Sequence, residues 1–241
     1  RSRVSFHLIG CVSVLAVACT SVAIAQPVSS RETLRQARIY LKAGRTTKAQ
    51  MLYETLYRER PSDRRVRNNL GLVYALNGRT SDSLQLLDLN RKQLTQSAVA
   101  HQNYAVAALF CGKTTDSLSA FRQAVALSPD TVPIRRNVAI AHMAAGHWEE
   151  STRQYAEVLR LSPDDPNDQI VYACLLLKTK QFFHASQLAG EVLKKSPSHA
   201  VALRIRDLAR HRRPYVRAEL TGEPFKLPCP RQEDVLIALI Q

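Results

Sequence analysis

The chain has 241 residues, of which 45% are hydrophobic and 22% are charged, with only 8 glycines and 11 prolines. This composition excludes a collagen-like or low-complexity chain and wholesale disorder, and it allows a sizeable core. The formal net charge of +14 favours acidic partners, anionic lipid or polyanions.

The first element is an N-terminal segment, residues 1–25, in which RSR precedes an apolar run that ends in AIA. This order predicts a secretory signal peptide that is cleaved after Ala25. Two alternatives stay open: lipidation at Cys19 or Cys11, and retention of the segment as a membrane anchor. The sequence therefore predicts an exported, periplasmic protein, with outer-membrane association if a lipid is attached. Nucleic acid is not expected as a partner, because an exported protein is separated from the nucleic acids inside the cell.

Two markers recur along the rest of the chain at an interval of 34 residues. One is a glycine and the other is a proline that follows a helical segment; Lys180 and Thr95 hold these places where the marker is missing. Their agreement predicts five units without an insertion. The glycines are Gly44, Gly78, Gly112 and Gly146, the prolines are Pro61, Pro129, Pro163 and Pro197, and the units are 30–63, 64–97, 98–131, 132–165 and 166–199.

Each unit has the pattern of two helices. The glycine ends the first helix because a left-handed cap needs no side chain, and the proline follows the second helix because it cannot continue one. A small residue recurs in the first helix and a bulky residue in the second, except in the last unit, where Ala189 breaks the pattern. We therefore expect an all-α fold. The small residues are Ala37, Gly71, Ala105, Ala139 and Ala173, and the bulky ones are Tyr53, Leu87, Phe121 and Tyr155.

This arrangement resembles the tetratricopeptide repeat family, whose signature is a 34-residue helix-turn-helix with small, aromatic and proline positions at these intervals. The resemblance implies an α-α superhelix, or solenoid, of about five units with a concave surface lined by the first helix of each unit. Three units have serine where the family pattern has alanine early in the second helix: Ser83, Ser117 and Ser151. We expect this departure to affect the packing and not the fold.

Two further elements follow the repeats. The amphipathic stretch AVALRIRDLARHRR predicts a capping helix at residues 200–213, since the terminal repeat of a solenoid needs a polar outer face. Residues 214–241 form a proline-rich tail that ends in EDVLIALIQ. Three interpretations of this tail stay open: it docks on the solenoid, it binds a partner, or it is disordered.

An asparagine recurs at one place in the first helices of three successive units, at Asn69, Asn103 and Asn137. Because a buried amide without a partner is costly, each is expected to face the groove or a neighbouring polar group. A carboxamide both donates and accepts, which suits an extended peptide backbone. Some tetratricopeptide repeat proteins bind peptides through such a ladder, and we predict a peptide-binding groove here. The alternative is that each asparagine bonds the adjacent helix and sets the repeat geometry.

Basic and apolar residues flank the asparagines. A guanidinium binds a carboxylate through two parallel bonds, so the groove is expected to favour an acidic or C-terminal segment. The alternative is that these arginines form a solvated basic face. Apolar groove positions would supply the burial that affinity needs. Besides the asparagines, the predicted groove residues are Arg35, Arg38, Arg65, Arg136, Gln102, Leu72, Val106, Phe110 and Ile140.

No pattern of catalytic or metal-binding residues stands out. His142 and His147 lie five residues apart at the end of a helix and do not converge, and the chain has no HExxH pair, phosphate-binding glycine loop or GxSxG elbow. Cys111 and Cys174 fall on apolar helical faces and are expected to act as small buried hydrophobes. We predict no enzymatic activity, no metal site and no cofactor.

The sequence therefore predicts a non-enzymatic adaptor that binds a protein or peptide in its groove. The motifs VRNNLGLVYALNGR and HQNYAVAALFCGK are similar to those of the TadD components of Tad (Flp) pilus machines. This similarity implies a role in assembling a bacterial envelope machine, with a secretin or pilus subunit as the partner. The alternatives are a scaffold for polysaccharide export or synthesis, and another periplasmic protein-interaction module.

Overall fold

The computed structural model describes residues 30–212, and in this range the chain forms eleven α-helices and no strands. The first helix of each of five pairs begins 34 residues after the previous one, and consecutive helices pack on each other. The helices are α1 (Ser30–Lys42), α2 (Thr46–Glu59), α3 (Arg64–Leu76), α4 (Thr80–Gln93), α5 (Ala98–Phe110), α6 (Thr114–Leu127), α7 (Val132–Ala144), α8 (Trp148–Leu161), α9 (Pro166–Lys178), α10 (Phe182–Lys195) and α11 (Ala200–Arg210). The predicted all-α superhelix of five helix pairs with a terminal helix is confirmed.

Two of the predicted segments lie outside the described residues. These are the signal peptide, residues 1–25 with Cys11 and Cys19, and the tail, residues 214–241. Between residues 30 and 212, none of the helices combines the length and the apolar character that crossing a membrane requires.

The turn inside each helix pair depends on one residue with left-handed backbone. The four recurring glycines have φ between 69° and 76°, where glycine meets no steric penalty. Lys180 takes the corresponding place in the last pair with φ 61°, which costs a residue with a side chain about 1–2 kcal/mol. In the second pair, the Gly78 N–H donates to the Ala75 carbonyl at 3.0 Å and the Arg79 N–H to the Tyr74 carbonyl at 2.8 Å. These bonds satisfy the last carbonyls of α3 before the chain reverses into α4.

Within a pair, the small residue of the first helix faces the bulky residue of the second. A Cβ added at Gly71 would lie only 2.7 Å from the Leu87 Cγ, so α3 and α4 approach as closely as a glycine permits. The three serines that replace alanine are fully buried at the same helix contact. The Ser151 hydroxyl donates to the Ala139 carbonyl at 3.0 Å, so this serine joins the two helices of its pair.

The junctions between successive pairs share a hydrogen bond that the sequence did not reveal. In three of them, a polar side chain near the start of a first helix bonds the carbonyl six residues earlier, at the end of the preceding pair. The atoms and distances are His101 Nε2 to the Thr95 oxygen, 3.2 Å; Arg135 Nε to the Pro129 oxygen, 2.8 Å; and Gln169 Nε2 to the Pro163 oxygen, 2.7 Å. This bond ties the start of each of these first helices to the turn that precedes it.

The terminal helix α11 packs on α9 and α10. It occupies the place of a sixth first helix, but within residues 30–212 no second helix of its own covers it. Its outward face therefore stays open, and Leu203 on this helix is 38% exposed.

Candidate functional site

A small cavity lies between the N-terminal halves of α3 and α5, beside the end of α4. Its volume is about 120 Å³, which is the volume that about four water molecules occupy in the liquid. Three of the predicted groove residues, Arg65, Asn69 and Asn103, meet in its wall. The full lining is Arg64, Arg65, Asn68, Asn69, Asn90, Leu94, Ser97, Val99, Ala100 and Asn103.

Carboxamides form one wall of this cavity. The Asn103 Nδ2 donates to the Asn68 Oδ1 at 2.8 Å across the α3–α5 contact. The Asn68 Nδ2 lies 3.4 Å from the Asn69 Oδ1, a weak bond between neighbours in α3. The Asn103 Oδ1 is buried and accepts no hydrogen bond, although a buried carbonyl oxygen ordinarily has a partner. Asn103 lines the cavity, so an acceptor without a partner belongs to one of its wall residues.

A fourth carboxamide, that of Asn90, holds α4 against α3 beside the cavity. Its Oδ1 accepts from the Arg67 Nε at 2.6 Å, and its Nδ2 donates to the Arg64 carbonyl at 3.1 Å. Arg67 is only 5% exposed and also donates to the Gln93 Oε1 at 2.5 Å. Because both groups of Asn90 make hydrogen bonds within the chain, this side of the cavity is held in place.

The mouth of the cavity is cationic and partly apolar. Arg64 and Arg65 are exposed in the first turn of α3, and Val99 is 49% exposed in the first turn of α5. Asp63 caps α3, because its carboxylate accepts from the Arg65 N–H at 2.9 Å and the Val66 N–H at 3.4 Å. The helix end is thus already capped by a carboxylate, and it is the two exposed arginines that favour an anionic group at the mouth.

The remaining predicted groove residues do not join this site. Asn137 and Gln102 are buried outside its wall, and Phe110 is half-buried in contact with the core. Arg35 and Arg38 are exposed on α1 and line a separate cleft of about 530 Å³, where Arg35 pairs with Glu32 at 2.5 Å.

The structure corrects the expectation that three apolar residues, Leu72, Val106 and Ile140, present an open groove surface. They are 0%, 4% and 8% exposed and belong to one core cluster. The reason is that the first helices α3, α5 and α7 pack directly side by side, so that the side chains between them contact one another. The asparagines too are nearly enclosed, with exposures of 1%, 3% and 8% for Asn69, Asn103 and Asn137.

The structure also corrects the role expected for Arg136. Its Nε donates to the Asp168 Oδ1 at 2.8 Å and its Nη2 to the Asp168 Oδ2 at 2.5 Å, with Asp165 at 3.7 Å. The hydrogen bond to Asp168 raises the pKa of Arg136 further, and the carboxylate of Asp168 is 4% exposed. The guanidinium is therefore already occupied by this chain. Sequence reasoning missed Asp168 because the pairing crosses from α7 to α9.

Burial shifts the pKa of several groups, among them Tyr53 and Cys174. Burial raises the pKa of the Tyr53 hydroxyl, while the neighbouring Arg38 and Asn69 oppose the shift. Burial raises the pKa of the Cys174 thiol to about 12, as expected for a small residue in an apolar core. Among residues 30–212, no group of three or more His, Cys, Asp or Glu side chains is placed to hold a metal ion.

Comparison with known proteins identifies the repeat family. A family described as tetratricopeptide repeat matches residues 34–90 and 105–166. A thermophilic tetratricopeptide repeat protein of Thermus thermophilus has a TM-score of 0.57 at 17% identity, covering 76% of this chain and 98% of that one. A tetratricopeptide repeat protein of Parabacteroides merdae has a TM-score of 0.60 at 12% identity, covering 76% and 73%.

A third solved structure, YrrB, is described as a tetratricopeptide repeat protein with an unusual peptide-binding site. It has a TM-score of 0.54 at 14% identity and covers 73% of this chain and 91% of that one. At such identities the likeness shows the fold alone. No curated protein matches the sequence.

Proposed function

Because this chain is a tetratricopeptide repeat protein, of a class that generally binds other proteins without catalysis, we propose that it is an adaptor holding a partner's segment at the α3–α5 cavity. The cavity is too small for a folded domain or a whole peptide. An extended segment crosses its mouth and inserts one side chain or a terminal carboxylate.

One observation carries this proposal: the Asn103 Oδ1 is buried in the cavity wall without a hydrogen-bond partner. A backbone N–H or an amide of the bound segment supplies the missing donor. Arg64 and Arg65 at the mouth then pair with a carboxylate of the same segment. The combination selects an extended, acidic segment, in agreement with the excess of basic residues in the chain.

The comparison with YrrB supports the class of ligand only. That protein is described as having an unusual peptide-binding site, and it shares the helical repeat fold with this chain. By analogy, a peptide is the ligand that we propose here.

We extend the proposal to the cellular setting. The signal-peptide pattern of residues 1–25 supports export to the periplasm, and the motif similarity to TadD components supports a partner in a Tad (Flp) pilus or secretin-based machine. The identity of the neighbouring genes tests this setting. Genes for a secretin, an ATPase and pilin-like subunits agree with it, whereas glycosyltransferase and porin genes indicate polysaccharide export instead.

Binding of a fluorescent acidic peptide to the full chain tests the site itself. The probe is a short peptide rich in Asp and Glu with a free carboxyl terminus, and its control has Asn and Gln in their place. We expect Arg65→Ala to weaken binding about tenfold or more, since a hydrogen bond to a charged group contributes about 1.5–3 kcal/mol. Asn103→Ala is expected to weaken binding up to about tenfold, since a hydrogen bond between neutral groups contributes about 0.5–1.5 kcal/mol. Arg122→Ala removes an exposed arginine of α6 and leaves affinity unchanged.

Two results would contradict the proposal. The first is equal affinity for the acidic peptide and its neutral control. The second is unchanged affinity in both site variants while their melting temperatures match that of the parent protein. If Asn103→Ala both binds less tightly and melts at a lower temperature, its loss of affinity has two candidate causes: partial unfolding and a lost ligand contact. Arg65→Ala distinguishes the two, because Arg65 is exposed and holds no other helix.

A further inference from the structure

The open end of the solenoid carries an exposed aromatic residue beside a cluster of basic ones. Phe183, near the start of α10, is 77% exposed and packs edge-on against the His184 ring with the centroids 5.7 Å apart. It borders a cleft of about 600 Å³ between the start of α10 and the end of α11. Three basic residues line the same cleft, at Lys180, Arg210 and Arg212.

Phe183 departs from the repeat pattern. In the other four pairs, the residue at this place in the second helix is polar: Thr47, Ser81, Thr115 and Glu149. An aromatic side chain that is mostly in water, where the repeat otherwise has a polar one, indicates an occupant of this end.

The described chain ends at this cleft and turns as it does so. Arg212 has φ 52°, the left-handed conformation that precedes the second helix in each of the five pairs. Its N–H donates to the Ala209 carbonyl at 3.1 Å, so the turn closes α11. The chain therefore leaves α11 at the rim of the cleft. This point adjoins the face of α11 that corresponds to the face covered by the second helix in each of the five pairs.

We propose that residues 233–240 of the same chain, EDVLIALI, bind in this cleft and close the end of the solenoid. Glu233 and Asp234 complement the basic rim, and the six apolar residues after them cover Phe183 and the open face of α11. Residues 213–232 connect the two parts, and twenty fully extended residues span about 66–72 Å. This length is sufficient, because the connecting residues start at the rim of the same cleft.

This assignment is independent of the peptide site between α3 and α5, which lies in the second and third pairs. It gives the tail an intramolecular role: the segment takes the place of a further repeat unit, and Phe183 is the contact that defines its position.

Photo-crosslinking of the full chain tests the assignment. The change is Phe183→p-benzoylphenylalanine, and its matched control places the same residue at Thr115, which is exposed at the equivalent position of α6. We expect crosslinks from position 183 to residues 233–240 within one chain, about tenfold more abundant than those from position 115. The double change Leu236→Asp with Leu239→Asp reduces them about tenfold, because two buried leucines supply much of the contact.

Each of the other outcomes overturns the assignment. Crosslinks that join two copies of the chain show that the cleft is an interface between copies. Crosslinks that miss residues 233–240, or a yield that is the same at positions 183 and 115, show that the tail binds elsewhere or not at all. A yield that the double aspartate change leaves intact shows that the apolar residues do not make the contact.

Discussion

Adding one methyl group at Gly71 tests how tightly the second helix pair is packed. An alanine Cβ there would lie 2.7 Å from the Leu87 Cγ, 3.1 Å from its Cδ2 and 3.4 Å from its Cδ1. Leu87 is 1% exposed and sits in the core cluster with Leu72 and Phe121, so it has no open space to move into. Either Leu87 leaves its rotamer or α3 and α4 separate.

The expected size of the effect follows from two opposing contributions. Alanine stabilises a helix interior by about 0.5–1 kcal/mol relative to glycine. Overpacking a close-packed core costs about 1–3 kcal/mol. We expect Gly71→Ala to lower the free energy of unfolding by up to about 2.5 kcal/mol. Gly190→Ala, in α10, isolates the helix contribution, because nothing lies within 4 Å of its added Cβ. This control is expected to gain about 0.5–1 kcal/mol.

Urea and thermal unfolding of the full chain, followed by circular dichroism, measure the difference between the two variants. For a chain of this size, 1 kcal/mol corresponds to about 2–4 °C in melting temperature. A Gly71→Ala protein that is stabilised as much as Gly190→Ala would refute the close contact. The double variant with Leu87→Ala is a further check, because removing the Leu87 Cγ relieves the clash and the two changes should not add.

Three further predictions concern buried polar groups. Arg136→Ala leaves the buried Asp168 carboxylate without its partner, and we expect a loss of about 3 kcal/mol or more in urea unfolding. Ser117→Ala removes a buried hydroxyl without a partner and should stabilise the protein by about 1 kcal/mol, whereas Ser151→Ala removes a helix-to-helix bond and should destabilise it by a similar amount. With a pKa of about 12, Cys174 stays a thiol at pH 8, and mass spectrometry should find it unlabelled by iodoacetamide until the protein unfolds.

Controls for these changes are available elsewhere in the chain. Arg122→Ala on the exposed face of α6 should change stability by less than about 0.5 kcal/mol, and a larger loss would mean that the Arg136 result is not specific. Equal effects of the two serine changes would contradict the difference in their hydrogen bonding. Native labelling of Cys174 at the rate of the half-exposed Cys111 would contradict its burial.

The helices were predictable from sequence because the signals that end them are local. Gly78 and its counterparts need a left-handed turn at one residue, and this need is independent of the rest of the fold. Lys180 shows the limit of such signals, since the turn persists there without glycine. The turn at Lys180 was predicted from the 34-residue interval, because no glycine marks it.

The site was predictable only in part. Asn69 and Asn103 were identified by their spacing, but Asn68 and Asn90 were not, although both adjoin the same cavity. The bond between Asn68 and Asn103 joins residues 35 apart, one more than the repeat interval. Likewise, Arg136 on α7 donates to Asp168 on α9, the first helix of the next pair. Such contacts depend on the twist between units, and repeat spacing in one dimension does not encode it.

The junction bonds of His101, Arg135 and Gln169 have a consequence for how this protein can change. Their acceptor is always a main-chain carbonyl, which no substitution removes, while the donor is an imidazole, a guanidinium or an amide in turn. The same turn is thus held by three different donor chemistries. One donor can therefore be exchanged for another at a single junction without changing a residue in the interior of any repeat.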